Sequence, residues 1–258
     1  MFSFNQNHLK VVTLSFCATF LVLFEVVVLI RHLSCFFFKF SSFGTTGKRK
    51  SFVMLNLGET FPNFVAPSTQ GLLDFYAHLG SSWGVIFSHP ADYTPVCTTE
   101  IARMAQLFKQ FEQRNVKPIV LSIDTVDDHK AWVDDVQQVS GCEVKFPLVG
   151  DETGQIAESI GMLDKSQDKR VTVRGVFVID PEKKIKATIC YPTSTGRNFD
   201  EIIRLIDSLQ LTALRPNVVT PVDWQVGGEL IVKPGCEIEG CTTVQLPSGK
   251  GYLRYVKQ

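Results

Sequence analysis

From residue 54 to about residue 210, short apolar runs alternate with segments of helical periodicity, and this alternation limits the fold more than any other feature. Residues 83–88 (WGVIFS) and 118–123 (PIVLSI) read as buried strands, and 146–149 as a shorter one before Gly150-Asp151. Between the first two, Ile101, Met104, Ala105, Phe108 and Phe111 fall at helical spacing, which predicts a helix over 98–111. Residues 127–139 form the next expected helix, with Asp127 and Asp128 suited to its positive N-terminal end. A helix over 153–160 follows. Strands over 171–179 and 185–190 are joined by Asp180-Pro-Glu-Lys-Lys, a hairpin connection. An amphipathic helix over 199–209 closes the domain. The expectation is an α/β domain over 54–210, a mixed central sheet flanked by helices on both sides. After Arg215-Pro216 the sequence turns strand-like and rich in turns, so 211–258 reads as a small C-terminal appendage.

Residues 1–53 are sequence of another kind. They hold 11 of the 20 phenylalanines, and residues 11–30 carry a single charge, Glu25. That run is long enough to span a bilayer as a helix. More positive charge follows it than precedes it, which would leave the C-terminal domain in the cytoplasm. A processed targeting segment and a start at Met54 are the competing readings. The formal net charge of zero conceals +5 in this extension and −5 in the remainder. A mildly acidic globular part gives no electrostatic reason to expect nucleic acid as a partner.

Seven cysteines, Cys17, Cys35, Cys97, Cys142, Cys190, Cys236 and Cys241, are odd in number and scattered, without C-x-x-C pairs. No histidines stand near them at metal-ligand spacing. The pattern argues against a disulfide scaffold or a zinc site, and predicts a reducing compartment with mostly buried free thiols.

The segment His89-Pro-Ala-Asp-Tyr-Thr-Pro-Val-Cys97 joins a buried strand to a helix and sets Cys97 at the helix N-terminus. Unpaired N–H groups and the positive end of the helix dipole converge there. A free cysteine titrates near 8.5, whereas helix N-termini and basic neighbours bring cysteines to roughly 3.5–7.5. Pro90 and Pro95 bracket the loop and fix its backbone angles.

Pro90-x-x-x-Thr94-x-x-Cys97 resembles the active-site signature of the peroxiredoxins, and FSHPADYTPVCTTE resembles their one-cysteine subfamily. LGETFPNF, LSIDTVDDHKAW, VTVRGVFVIDPEKKIK, YPTSTGRNFDEIIR, TPVDW and LPSGKGYLRY extend the resemblance over nearly everything from Leu55 onward. It implies a thioredoxin-like fold and a thiol-dependent peroxidase of antioxidant defence. Such an enzyme reduces hydrogen peroxide and organic or lipid hydroperoxides through a cysteine sulfenic acid. The resemblance makes Cys97 the peroxidatic sulfur and Thr94 a residue that hydrogen-bonds the peroxide through its hydroxyl. Arg174 would stabilise negative charge at the sulfur, Pro90 would shield it, and His89 and Glu100 would order the pocket. Arg197 reads equally as a helix-start or interface arginine. No prosthetic cofactor is implied; the reductant is an external thiol such as glutathione, and the assembly a homodimer. The tail lacks the Val-Cys-Pro context of a resolving cysteine, yet it carries Cys236 and Cys241.

One rival reading is a lipid hydrolase, because Gly80-Ser-Ser82-Trp-Gly84 fits G-x-S-x-G. A nucleophile elbow needs a strand before the serine and a helix after it, and here a strand follows. Some one-cysteine relatives carry such an activity, but Tyr76 and Glu182 stand here at the family's histidine and aspartate positions, with His78 two residues away. A non-enzymatic membrane-tethered scaffold is the other rival.

Overall fold

The computed structural model describes residues 55–167 and 169–258. The extension 1–53, with the expected span at 11–30, lies outside the described residues. No helix among the described residues is long and apolar enough to cross a membrane.

A seven-stranded mixed sheet forms the centre, in the order β2-β1-β5-β4-β3-β6-β7. Strands β3 (Trp83–Ser88), β4 (Val116–Ser122) and β5 (Leu148–Gly150) are mutually parallel. Strand β6 (Arg174–Ile179) runs antiparallel to β3, and β7 (Ile185–Tyr191) antiparallel to β6. All six residues of β3 are buried, which is why it reads as a continuous apolar run and sits inside the sheet. The hairpin β1 (Val65–Ser68) and β2 (Gly71–Asp74) had no sequence signal, since each is four residues long and half exposed.

Helices cover both faces, as the alternation along the strands requires. Val85, Phe87, Val120, Val176 and Val178 face α2 (Pro95–Gln113), α3 (Val126–Ser140) and α5 (Phe199–Leu214), through Ile101, Trp132 and Ile206. Ile86, Ile119, Leu121, Phe177 and Ile179 face the other way, toward Phe61, the short α1 (Phe75–Leu79) and α4 (Gln155–Ser159). Each such side chain contributes about 1.5–3 kcal/mol on full burial, so period-two patterning on both faces fixes a three-layer arrangement.

Local chemistry sets the helix ends. Thr125 caps α3 by accepting from Asp128 N at 3.0 Å, and Gly141 ends it in the left-handed region at φ 66°. Asn198 caps α5, accepting from Asp200 N and Glu201 N. That helix runs past its expected end at 209, so the expected boundary at 210 falls inside it. Gln210 Nε2 donates to Arg114 O at 2.7 Å, and Leu211 packs on the apolar cluster beyond.

That cluster is Val218, Trp224, Leu230, Val232 and Val256. Apart from Trp224, which lies between β8 and β9, it belongs to a four-stranded antiparallel sheet ordered β10-β11-β9-β8, from β8 (Val218–Val219), β9 (Leu230–Val232), β10 (Thr242–Thr243) and β11 (Arg254–Val256).

Candidate active site

The chain leaves the C-terminal end of β3 at Ser88, runs through residues 89–94 and enters α2. Thr94 is the N-cap, in extended conformation at φ −110° and ψ 144°, and Pro95 follows where a missing N–H costs nothing. The Thr94 hydroxyl donates to Ala91 O at 2.9 Å and does not cap the helix. Cys97 occupies the first turn with 0 % exposure, and Pro90, within the preceding loop, is buried.

Antiparallel pairing of β3 with β6, in the register Phe87↔Val176, brings the start of β6 beside the end of β3. Arg174 begins β6. Its Nη1 lies 3.3 Å from Cys97 Sγ and donates to Glu100 Oε2 at 2.9 Å. Its Nε and Nη2 both donate to Thr193 O, at 3.0 and 2.8 Å, so the guanidinium is anchored on both edges. Gly175 has no room for a side chain: a Cβ there would meet Met162 Sδ at 2.1 Å.

Glu100 stands three residues after Cys97, on the same face of α2. Besides Arg174 it accepts from Arg197 N at 2.8 Å, Nε at 3.0 Å and Nη2 at 2.6 Å. Arg197 Nη1 reaches back to Ser88 O and Gly175 O, at 3.0 and 2.9 Å. Burial alone would raise the Glu100 carboxyl, but the Arg197 and Arg174 charges and the Arg197 hydrogen bonds outweigh it and hold the group below the usual carboxylate range. Burial pulls Arg197 down from its ordinary value, against the opposing attraction of Glu100. Cys97, Arg174 and Glu100 are thus brought together as expected. Arg197 joins them as a fully buried ion-pair partner, and its position in a Gly-Arg-Asn turn gave no sign of that.

His89 does not join this group by any direct hydrogen bond of its ring. Its Nε2 bonds Asp92 Oδ1 at 2.7 Å, and Asp92 Oδ2 bonds His129 Nδ1 at 2.6 Å. Asp92 and His129 lay unremarked in the sequence, because the contact spans 37 residues. These three are the His, Cys and carboxylate grouping among the described residues with atoms close enough for a metal ion. Separations of 2.6–2.7 Å are those of hydrogen bonds, whereas two ligands about 2.1 Å from one ion stand about 3 Å or more apart.

An open groove of about 510 Å³ runs beside the loop, lined by Tyr93, Thr94, Pro95, Trp132 and Val139 among others. Trp132 Nε1 donates to Thr98 Oγ1 at 3.2 Å, which ties this wall to the first turns of α2.

The remaining cysteines depart from expectation. Of the five described, only Cys97 is buried; Cys142 and Cys190 are exposed, Cys236 and Cys241 half-buried. β7 is an edge strand whose alternate residues face solvent, and Cys142 follows the end of α3. Ser82 follows α1 and precedes β3, without the strand–turn–helix of a nucleophile elbow. Its hydroxyl is engaged with Asn115 Oδ1 at 2.7 Å, and Tyr76 donates its own to Phe61 O.

The AhpC/TSA family model matches residues 57–188. Peroxiredoxin-6 of Gallus gallus is 48 % identical over 220 residues, covering 79 % of this chain and 98 % of that protein. Peroxiredoxin-6 of Homo sapiens is 48 % identical over 221 residues, with the same coverage. Among solved structures, a cysteine-to-serine mutant of the Arenicola marina peroxiredoxin 6 superposes with a TM-score of 0.76 at 49 % identity, covering 79 % of this chain and 98 % of that one. A yeast mitochondrial 1-Cys peroxiredoxin, described with its thiol resolving mechanism via glutathione/thioredoxin systems, gives 0.72 at 39 %, covering 80 % and 100 %. Fold and site together define a cysteine-based peroxidase with a thioredoxin-like architecture. The chain belongs to the AhpC/TSA family and is a peroxiredoxin of the peroxiredoxin-6 type.

Proposed function

We propose that Cys97 is the sulfur that attacks the hydroperoxide, and that Arg174 is the group that stabilises the charge developed in doing so. The observation that carries this reading is the 3.3 Å contact between Arg174 Nη1 and the sulfur of a fully buried cysteine in the first turn of α2. Two buried guanidinium groups face one carboxylate, so the cluster holds an unbalanced positive charge that a sulfur anion neutralises. Sulfur forms a bond to the terminal peroxide oxygen, the O–O bond breaks, and water or an alcohol leaves after taking up a proton. Cys97 is left as a sulfenic acid. Guanidinium N–H groups aimed at developing negative charge lower the barrier, because they need no reorganisation in a water-poor site. Thr94 lines the groove and, with its hydrogen given to Ala91 O, offers its oxygen as an acceptor to the peroxide O–H, and Pro90 screens the sulfur from solvent.

A thiol then condenses with the sulfenic acid, releasing water, and a second thiol exchanges with the resulting disulfide to return Cys97. An external thiol such as glutathione serves in both steps, in keeping with the glutathione/thioredoxin description of the yeast relative. The apolar wall at Tyr93, Pro95, Trp132 and Val139 suits organic and lipid hydroperoxides as well as hydrogen peroxide.

Peroxide consumption by Cys97→Ser and Ser82→Ala variants tests the assignment. Loss in the first with full activity in the second is expected. The opposite pattern would transfer the chemistry to Ser82, and activity in Cys97→Ser alone would remove the sulfur from the reaction.

A further inference from the structure

Two buried side-chain nitrogens among the described residues lack any hydrogen-bond partner, and one is His89 Nδ1. Continuing the Phe87↔Val176 register by two residues places His89 opposite Arg174. The Thr172 hydroxyl donates to His89 O, which fastens His89 to the chain just before Arg174. An orphan nitrogen in this place is costly if it carries a hydrogen that finds no acceptor.

The surrounding groups decide which ring nitrogen carries the hydrogen. Asp92 from the loop, Asp124 after β4 and His129 from α3 are the titratable groups set against His89, and the Trp132 ring lies 5.3 Å from its ring. Asp92 uses one oxygen for each histidine. His129 Nε2 faces Val149 O at 3.2 Å, and a carbonyl only accepts, so that nitrogen carries a hydrogen. The short bond between His129 Nδ1 and Asp92 Oδ2 then holds one further proton, whichever atom it sits on. In both cases Asp92 Oδ1 remains an acceptor, and His89 Nε2 must donate to it. Placing the hydrogen on Nδ1 instead would set a bare Nε2 against a carboxylate oxygen and strand a buried N–H.

We propose that Asp92 and His129 are positioning residues that lock His89 as its Nε2–H tautomer and so keep Nδ1 a bare acceptor on the residue that the register sets opposite Arg174. The free lone pair accepts a hydrogen bond from the O–H of the incoming hydroperoxide, complementing the donor that Arg174 presents. His129 acts at one remove, by filling the second oxygen of Asp92. Burial favours the uncharged ring, in keeping with a His89 pulled below its ordinary value despite the Asp92 carboxylate. The use made of Nδ1 rests on Cys97 being the reacting sulfur; the tautomer itself does not.

Long-range proton–nitrogen NMR of the ¹⁵N-labelled full chain tests the tautomer, with His89 assigned by signal loss in His89→Asn. The expected spectrum shows His89 Nδ1 as an unprotonated, pyridine-like nitrogen and Nε2 as protonated. A hydrogen on Nδ1 overturns the proposal, and this readout needs no variant of Asp92 to fold. In Asp92→Leu, which removes both acceptor oxygens, the second-order rate constant for Cys97 oxidation by hydrogen peroxide is expected to fall about tenfold or more, with the His89 tautomer changed. In His129→Leu, which leaves Asp92 Oδ2 without its partner, tautomer and rate are expected to shift in the same direction, and in His129→Gln, whose amide still donates to Asp92, to be restored. An unchanged rate in Asp92→Leu, or a fallen rate with an unchanged tautomer, also overturns it. Retention of activity in Cys97→Ser would instead sink the peroxidatic reading and leave the tautomer result standing.

Discussion

Arg197 holds the Glu100 carboxylate by three bonds, one from its backbone N–H at 2.8 Å and two from its guanidinium at 3.0 and 2.6 Å. Both side chains are essentially inaccessible, at 0 % and 3 % exposure, so screening by solvent does not weaken the pair. Removing the Arg197 side chain takes two of the four hydrogen bonds from Glu100 and one each from Ser88 O and Gly175 O, and leaves Arg174 as the one cation on the buried carboxylate. Arg197→Leu is therefore expected to lower unfolding free energy by about 3–5 kcal/mol, read from urea denaturation. A loss under about 1 kcal/mol would show that the pair is structurally dispensable.

Arg174→Lys keeps a positive charge but cannot span Thr193 O, Glu100 and the Cys97 sulfur at once. The rate constant for peroxide reduction, measured by stopped-flow fluorescence, is expected to drop about 100-fold or more. Thermal stability should change far less than in Arg197→Leu, because Arg197 keeps its three bonds to Glu100 and a lysine keeps a cation beside them. Equal rates in both proteins would count against any role for the fork geometry.

The α/β alternation, the strand-to-helix position of Cys97 and the partnership with Arg174 were all legible in the sequence. Periodicity reports the first two directly, and motif resemblance supplied the third. Arg197, Asp92 and His129 were not legible, for a common reason. Each works by a buried contact across 37 or more residues, and an arginine or histidine about to be buried carries no local mark of it. The β1–β2 hairpin escaped because strands with exposed leucine and proline lack a clean period. Buried cysteines were over-predicted, since an apolar strand at a sheet edge looks in sequence like one at the centre.

Val139 is 57 % exposed on the groove beside Thr94 and Pro95, away from every hydrogen bond of the Cys97 cluster. Val139→Lys is expected to lower kcat/KM for a bulky organic hydroperoxide several-fold while leaving hydrogen peroxide unaffected. One methylene-scale contact in an apolar site is worth about 1–3 kcal/mol, and an open groove lies at the low end. Parallel losses for both substrates would remove the groove from substrate recognition.

Burial holds folded His89 and His78 below the ordinary histidine value, so the unfolded chain takes up protons first as pH falls. Stability should then decline from about pH 6.5 downward. Glu100 and Asp92, burial notwithstanding, are held below their ordinary values by Arg197 and Arg174 in one case and by His129 and His89 in the other. Their contribution is present above about pH 4.3 and is lost below it, giving a second and steeper decline. Urea midpoints from about pH 8 to about pH 3 should show both phases, with the first diminished in His89→Asn and in His78→Asn. A first phase identical in all three proteins would rule out these histidines as its source.

Sliding β6 along β3 by two residues would return every side chain to the face it now occupies, so apolar burial cannot tell the two alignments apart. Yet such a slip displaces Arg174 by roughly 6.8 Å and carries it out of reach of the sulfur. What discriminates is a handful of polar bonds at one residue: Ser88 Oγ to Val173 O and from Gly175 N, and Ser88 O from Arg197. The sheet's alignment is thus chosen by its least oily corner, and the competence of the reactive centre doubles as a gauge of whether the chain has closed in the right frame.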